Sequence, residues 1–150
     1  MNLILWRHAE AVDGTPDHDR KLTAKGVKQA EKIAAFLHQH LPANPRILVS
    51  PATRTQQTAA ALTDHFTTSP AVAPGASAQA VLRAAQWPDV DDTVLVVGHQ
   101  PTLGEIAAQL LGCSDYSLSI KKGALWWFNC REREDSARAT LRLVITPDFL

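Results

Sequence analysis

The sequence predicts a three-layer α/β/α sandwich with a mostly parallel sheet and an antiparallel edge strand. Short apolar runs that suit strands buried on both faces alternate with amphipathic helical segments. The chain has 150 residues, of which 45% are hydrophobic and 20% charged, and we expect a single domain over residues 1–150. Few residues follow the last long helical pattern, so we expect one of two late strands to be antiparallel.

The first third of the chain contains two predicted strands and one long helix. Residues 3–6 are a continuous apolar run, and residues 47–49 are the next such run. Between them, Thr23 is a good N-cap for a helix that should end near His40. Apolar residues recur at helical spacing along this segment, and its charged residues take the opposite, solvated face.

The middle of the chain carries weaker patterns. Ser50 is expected to cap a helix that has Pro51 at its first position and continues over residues 52–66. A weak strand is expected around residues 71–73, and a short helix over residues 77–86.

The last third of the chain begins with the strongest strand pattern, at residues 93–97, and a helix over residues 101–111 follows it. Two late strands are predicted at residues 124–128 and 141–145. The charged stretch between them, residues 131–138, is expected to form a hairpin-like turn.

The balanced charge argues against proteins that bind nucleic acid or anionic membranes through a large overall charge. Lysine plus arginine and aspartate plus glutamate each number 15, so no overall field favours nucleic acid or an anionic membrane. No apolar stretch approaches the roughly 20 residues of a membrane span, and the apolar N-terminus is too short for a signal peptide. Cys113 and Cys130 form no disulfide framework. We expect a cytoplasmic protein, with a monomer as the simplest state.

Basic side chains follow three of the predicted strands at the point where each strand ends. Arg7 and His8 follow the first strand, Arg54 lies in the first turn after the second, and His99 follows the strand at 93–97. Ligands of open α/β sheets bind beyond the carboxyl ends of the strands, so we expect these groups to share one crevice. Arginine matches pairs of phosphate oxygens, and neutral imidazole is a nucleophile towards phosphorus. The pattern therefore predicts a phosphoryl-transfer site.

Four segments resemble, in order, motifs of the histidine phosphatase (phosphoglycerate mutase-like) superfamily. They are Arg7-His8-Ala9, Leu22-Thr23-Ala24-Lys25-Gly26 with Gln29-Ala30, the block Ser50 to Ala59, and Val97-Gly98-His99-Gln100-Pro101. The short length without insertions is most similar to SixA-type phosphohistidine phosphatases. The resemblance implies that His8 is transiently phosphorylated. It also implies that Arg7, Arg54 and His99 hold the phosphoryl oxygens.

The same resemblance implies that Arg20 lines the phosphate pocket, and it implies no metal and no organic cofactor. Ala9 stands where the family usually has glycine, and we expect an ordinary φ there. A zinc site from His8, Glu10 and His18 is disfavoured, because their spacing fits no standard ligand pattern and arginine repels cations.

No general acid is evident in the sequence. Larger phosphomonoesterase members carry a carboxylate before the second histidine, but residues 66–88 contain none. The carboxylates at 89, 91 and 92 are expected at the end of the strand away from the crevice, and Asp64, late in a helix, is also expected away from it. An alkoxide leaving group needs a proton from such an acid, whereas a phosphorylated imidazole leaves far more easily.

We therefore expect the substrate to be a phosphohistidine-bearing protein, with a histidine phosphotransfer domain as the partner that the resemblance implies. Two alternatives remain open from the residues. One is a phosphomonoesterase of small phosphorylated metabolites, and the other is a non-catalytic module that binds phosphorylated proteins. Neither nucleic acid nor a membrane is expected as a partner.

Overall fold

The computed structural model describes residues 1–131 and 138–150, which form a six-stranded sheet and four α-helices. The strands are β1 (Asn2–Arg7), β2 (Arg46–Val49), β3 (Thr67–Thr68), β4 (Thr93–Gly98), β5 (Leu125–Arg131) and β6 (Arg138–Ile145). The helices are α1 (Ala24–His40), α2 (Thr53–Ala60), α3 (Ala78–Ala85) and α4 (Thr102–Leu110). Short 3₁₀ helices lie at Asp17–Asp19, Pro70–Val72 and Pro147–Phe149. Within the described ranges, no helix is long and apolar enough to cross a bilayer.

The sheet has the strand order β3-β2-β4-β1-β5-β6. The first four strands in this order are parallel, and β5 is antiparallel to both of its neighbours, β1 and β6. The predicted fold class is confirmed. The antiparallel strand, expected at the edge, is β5, and β6 lies outside it at the edge of the sheet. The expected hairpin turn between the late strands falls largely on residues 132–137, outside the described part of the chain.

Side chains of β1 alternate between two separate cores, which makes the sheet the middle layer of three. Leu3 and Leu5 pack with Ile106 and other residues of α3 and α4. Ile4 and Trp6 pack on the opposite face with residues of α1 and α2. Burial on both faces explains why β1 shows no polar alternation in the sequence.

The helix α1 forms as the sequence predicts. The Thr23 hydroxyl accepts a hydrogen bond from the Gly26 amide at 2.9 Å, which satisfies one of the free donors of the first turn. Ala30, Ile33 and Leu37 are buried against the sheet, and the helix ends at His40.

The helix after β2 is shorter than predicted. It covers Thr53–Ala60 rather than residues 52–66, and Ala52 takes the N-cap position expected for Ser50. The amides of Ala61 and Leu62 bond to carbonyls three residues back, which tightens and ends the helix. The predicted strand at 71–73 is wrong. That segment is largely a 3₁₀ helix capped by a preceding serine hydroxyl, and the strand lies earlier, at Thr67–Thr68.

Candidate functional site

Three separate chain segments meet at the carboxyl ends of β1, β2 and β4. The amide of His8 donates to the Gly98 oxygen at 3.1 Å, and the amide of Ser50 donates to the Val97 oxygen at 3.2 Å. These bonds extend the parallel ladders one residue past the strand ends, and His99 follows directly. The imidazole rings of His8 and His99 therefore lie with their centroids 5.3 Å apart. The predicted convergence of these two histidines is confirmed.

The His8 imidazole is buried and fixed in one tautomer. Its Nδ1 lies 2.7 Å from the Ala9 carbonyl oxygen, and a carbonyl oxygen only accepts, so Nδ1 carries the proton. The lone pair is then on Nε2. Burial, together with the positive charges of Arg54 and Arg7, lowers the pKa of His8 to about 4, against the opposing effect of the Ala9 bond. His8 is therefore neutral at pH 7 and keeps a free nitrogen lone pair.

His99 is also buried and neutral. Its Nε2 lies 2.7 Å from the Ser50 hydroxyl oxygen, and its Nδ1 lies 3.4 Å from Nη2 of Arg54. Arginine only donates, so Nδ1 accepts and Nε2 donates to Ser50. Burial, followed by the neighbouring His8 and Arg54, lowers the pKa of His99 to about 3.

Arg7 is the last residue of β1 and is half-buried. Its Nη1 donates to the Ile120 carbonyl oxygen at 2.7 Å, while its Nε–H has no acceptor among the described residues. Partial burial lowers the pKa of the guanidinium, which remains charged at neutral pH. A positive charge with an unpartnered buried donor is costly, so a negative charge near Arg7 would be favourable.

Arg54 lies in the first turn of α2 and is nearly completely buried. Its Nη1 donates to the Asp17 backbone oxygen at 2.9 Å, and its Nη2 lies 3.2 Å from the Asp17 carboxylate. The Nε–H of Arg54, like that of Arg7, has no acceptor in the described part of the protein. The half-buried Arg7 and the buried Arg54 thus place two positive charges, each with an unpartnered Nε–H, near two neutral imidazoles.

Arg20 contacts the loop residue Asp17, which also bonds to Arg54. Its Nη1 donates to the Asp17 carboxylate at 3.0 Å, and its Nε donates to the Val12 carbonyl oxygen at 2.7 Å. Its charge contributes to lowering the pKa of His8. Arg20 is therefore linked to Arg54 through Asp17.

The segment that leaves β1 is bonded to α2. The Ala9 amide donates to the Thr58 hydroxyl at 3.1 Å, and that hydroxyl donates to the Arg54 carbonyl oxygen at 2.7 Å. Among the described non-glycine residues only Asn44 and Gln86 have a positive φ, so the backbone at Ala9 is ordinary, as expected. The positions of His8 and Arg54 are thus coupled by a two-bond chain.

The residues weighed as a zinc site make other contacts. Glu10 accepts from the Thr23 hydroxyl at 2.9 Å, and the exposed His18 lies 3.1 Å from the Asp19 carboxylate. Across the described ranges, no group of three or more histidine, cysteine, aspartate or glutamate residues could hold a metal ion.

Two residues of the site were not expected from the sequence in these roles. Asp17 lies in a polar loop without periodicity, and it is 37 residues from Arg54. Ser50 was expected only as a helix cap, but its hydroxyl accepts from His99 as well as from the Ala52 amide at 3.3 Å. The position of Ser50 directly after β2 is the available signal, because His8 and His99 likewise follow the ends of parallel strands.

Known proteins are similar to this chain in sequence and in architecture. The model of the histidine phosphatase superfamily (branch 1) matches residues 3–77. A phosphohistidine phosphatase SixA homolog of Haemophilus influenzae is 34% identical over 128 residues, which cover 75% of this chain and 78% of that protein. An uncharacterised protein of Mycobacterium tuberculosis is 36% identical over 121 residues, covering 76% and 75%.

A solved structure also resembles this protein in its fold. The structure assigned as phosphohistidine phosphatase SixA from Nakamurella multipartitia superposes with a TM-score of 0.81 at 30% identity, over 97% of this chain and 95% of that chain. The sequence match and the shared fold agree. This chain therefore belongs to the histidine phosphatase superfamily (branch 1).

Proposed function

We propose that this phosphatase removes the phosphoryl group from phosphohistidine on a protein, through a phosphorylated His8 intermediate. The observation that carries the proposal is a neutral, oriented His8 near two guanidiniums, those of Arg7 and Arg54, whose buried Nε–H groups lack acceptors among the described residues. The SixA homolog of Haemophilus influenzae supports the same substrate class.

In the first step, His8 Nε2 attacks the phosphorus atom, and the bond from phosphorus to the substrate imidazole nitrogen breaks. The leaving imidazole takes a proton from water. Arg7 and Arg54 hold the non-bridging oxygens, which positions the group and offsets its charge in a loose transition state. The Ala9 carbonyl stabilises the positive charge on the His8 ring through Nδ1–H.

In the second step, a water oxygen attacks the phosphorus atom, the bond from phosphorus to His8 Nε2 breaks, and inorganic phosphate leaves. The proton lost by the attacking water neutralises the hydroxide left by the first step, and His8 returns to its neutral form. His99 contributes to both steps in this proposal. A bound dianion offsets the burial and the positive neighbours that lower the pKa of His99, so the ring becomes able to hold a proton and donate it to a phosphoryl oxygen.

The leaving group is the reason to favour a phosphoramidate. Asp17 is the only carboxylate among the described residues that hydrogen-bonds to one of the four side chains Arg7, His8, Arg54 and His99. Hydrogen bonds from Arg20, followed by the charge of Arg54, lower the pKa of Asp17, so this carboxylate is ionised at neutral pH. An ionised carboxylate cannot protonate an alkoxide, but an imidazole leaving group does not require it.

A histidine phosphotransfer domain of a signalling pathway is the proposed substrate protein. A reducing cytoplasm is the proposed location, which agrees with Cys113 and Cys130 both being free thiols.

The test compares a phosphohistidine peptide with an alkyl phosphate of similar size. We expect the wild-type protein to turn over the phosphohistidine peptide faster and to form an acid-labile phosphoenzyme. His8→Ala should abolish both signals, whereas His18→Ala, which changes an exposed imidazole of the neighbouring loop, should retain them. Robust turnover by His8→Ala would exclude the mechanism.

The two alternatives give different results in the same experiment. Faster turnover of the alkyl phosphate would identify a phosphomonoesterase. Stable binding of phosphorylated ligands without any release of phosphate would identify a binding module.

A further inference from the structure

A groove with a volume of about 920 Å³ opens beside the candidate site. It lies between α1, the loop that precedes β5, and the 3₁₀ helix Pro147–Phe149. Arg7 lines it together with five lysines, and Asp148 is the only carboxylate among its described lining residues. The five lysines are Lys25, Lys28, Lys32, Lys121 and Lys122.

The lysines of this protein are strongly segregated. The sequence contains six lysines, and only Lys21 lies outside the groove lining. The chain as a whole has a formal charge of zero, so this concentration creates a local positive field that the total charge conceals.

Each wall of the groove presents its lysines to solvent. Lys25, Lys28 and Lys32 are exposed on one face of α1, while Ile33 and Leu37 on the other side are buried. Like charges three and four residues apart on a helix repel each other. The arrangement therefore weakens α1 in isolation and becomes favourable when an anionic group lies in the groove.

The second wall is bonded to the end of β1 and to His8, which follows it. Arg7 Nη1 donates to the Ile120 carbonyl oxygen at 2.7 Å, and the Gly123 amide donates to the His8 carbonyl oxygen at 3.0 Å. Lys121 and Lys122 lie between these two anchors. Their ammonium groups thus extend from a loop whose two ends are fixed to the candidate nucleophile and its neighbour.

We propose that this lysine groove binds an acidic face of the phosphohistidine-bearing protein while its phosphoryl group reaches His8. The inference rests on the proposed function and adds the kind of protein surface that is recognised. Of the four site residues only Arg7 lines the groove, so its volume of about 920 Å³ is available for side chains around the modified residue. Phe149, which is 81% exposed at the rim, adds an apolar contact typical of protein interfaces.

The experiment uses two synthetic peptides of equal length that carry one phosphohistidine, flanked by glutamates in one and by glutamines in the other. At low ionic strength we expect kcat/KM for the glutamate peptide to exceed that for the glutamine peptide by about tenfold, and salt should reduce the difference. The combined variant Lys28→Gln, Lys32→Gln, Lys121→Gln, Lys122→Gln should lose this preference while it keeps its activity on the glutamine peptide.

Lys21→Gln is the matched control, because it removes the one lysine outside the groove, and it should keep the preference. Equal rates for the two peptides with wild-type protein, or loss of the preference with Lys21→Gln alone, would overturn the inference and leave the proposed function standing. Failure of wild-type protein to hydrolyse either peptide would instead overturn the proposed function, and the inference with it.

Competition distinguishes an acidic protein surface from a phosphate polymer. Poly-glutamate should inhibit hydrolysis of the glutamate peptide by wild-type protein more than by the four-lysine variant. Selective inhibition by inorganic polyphosphate or by single-stranded RNA, with none by poly-glutamate, would assign the groove to a phosphate backbone and refute the proposal.

Discussion

The Asp17 carboxylate lies 3.2 Å from Nη2 of Arg54, and the backbone oxygen of the same aspartate accepts from Nη1 at 2.9 Å. The side chain of Asp17 is 59% exposed, so it can leave Arg54 without unfolding the core. A phosphoryl group held by Arg54 would compete with this carboxylate for the same donor. We therefore expect Asp17 to compete with bound anions for Nη2 of Arg54.

We expect Asp17→Asn to bind inorganic phosphate or orthovanadate about two- to fivefold more tightly, because an exposed ion pair contributes little but does oppose anion entry. Inhibition constants measured in a turnover assay check this. Asp19→Asn is the control, since Asp19 contacts only the exposed His18 through its side chain among the described residues. Weaker anion binding by Asp17→Asn would show that the carboxylate holds Arg54 in position instead.

Ser50 holds the ring of His99. Its hydroxyl lies 2.7 Å from Nε2, and removing it would leave a buried ring N–H without a partner. We expect Ser50→Ala to lower kcat by roughly ten- to hundredfold with a smaller change in KM, because His99 orientation matters most in the transition state.

Steady-state kinetics on the phosphohistidine peptide measure both constants. Ser77→Ala removes a hydroxyl that only caps α3, and it should leave kcat within about twofold while lowering stability by about 1 kcal/mol. An unchanged kcat in Ser50→Ala would remove Ser50 from the mechanism.

The two site histidines make stability depend on acid pH. Their pKa values of about 4 for His8 and about 3 for His99 lie below the value of 6.5 for an ordinary imidazole. The unfolded chain therefore binds more protons than the folded one as pH falls below 6.5, and stability is lost in that range. Between pH 7 and pH 5 the loss should be roughly 2 kcal/mol for each histidine.

Urea unfolding at several pH values measures this dependence. The His8→Gln variant lacks one of the two titrating groups. Between pH 7 and pH 5, its free energy of unfolding should therefore decrease less than that of the wild type, by roughly 2 kcal/mol. Identical pH dependence in the two proteins would show that His8 titrates normally in the folded state.

Gly26 allows α1 to approach the segment that follows His8. A Cβ atom at this position would overlap the Glu10 carbonyl oxygen. Alanine favours a helix over glycine by about 1 kcal/mol, but a clash with backbone that must move costs about 1–3 kcal/mol or more. We expect Gly26→Ala to lower the free energy of unfolding on balance.

Chemical denaturation measures this change, with Gln39→Ala at an exposed position of α1 as the control, expected within about 0.5 kcal/mol of the wild type. A Gly26→Ala protein more stable than the wild type would contradict the predicted close approach.

The sequence was sufficient for the features that depend on local pattern. The apolar run of β1 and the capped, amphipathic α1 are local, and so are the basic residues that follow each strand, which a parallel sheet brings to one edge. The sequence alone therefore predicts that the site contains Arg7, His8, Arg54 and His99.

Contacts that depend on loops were not predictable in the same way. Asp17 reaches Arg54 because a polar loop folds back over the sheet edge, and no periodicity reports that path. The early end of α2 depends on i−3 bonds at Ala61 and Leu62, whereas the alanine-rich sequence favours continuation. The lysine groove combines residues about 90 positions apart in the chain. Its positive charge therefore cannot be recognised from any short stretch of the sequence.

The position of β1 between β4 and β5 has a consequence for biosynthesis. The strand that precedes His8 is made first, yet one of its two edges is covered only by a strand about 120 residues later in the chain. The loop that bonds to Arg7 and His8 also emerges late. A nascent chain on the ribosome therefore cannot assemble the reaction centre until most of the polypeptide has been translated, which withholds activity from incomplete products.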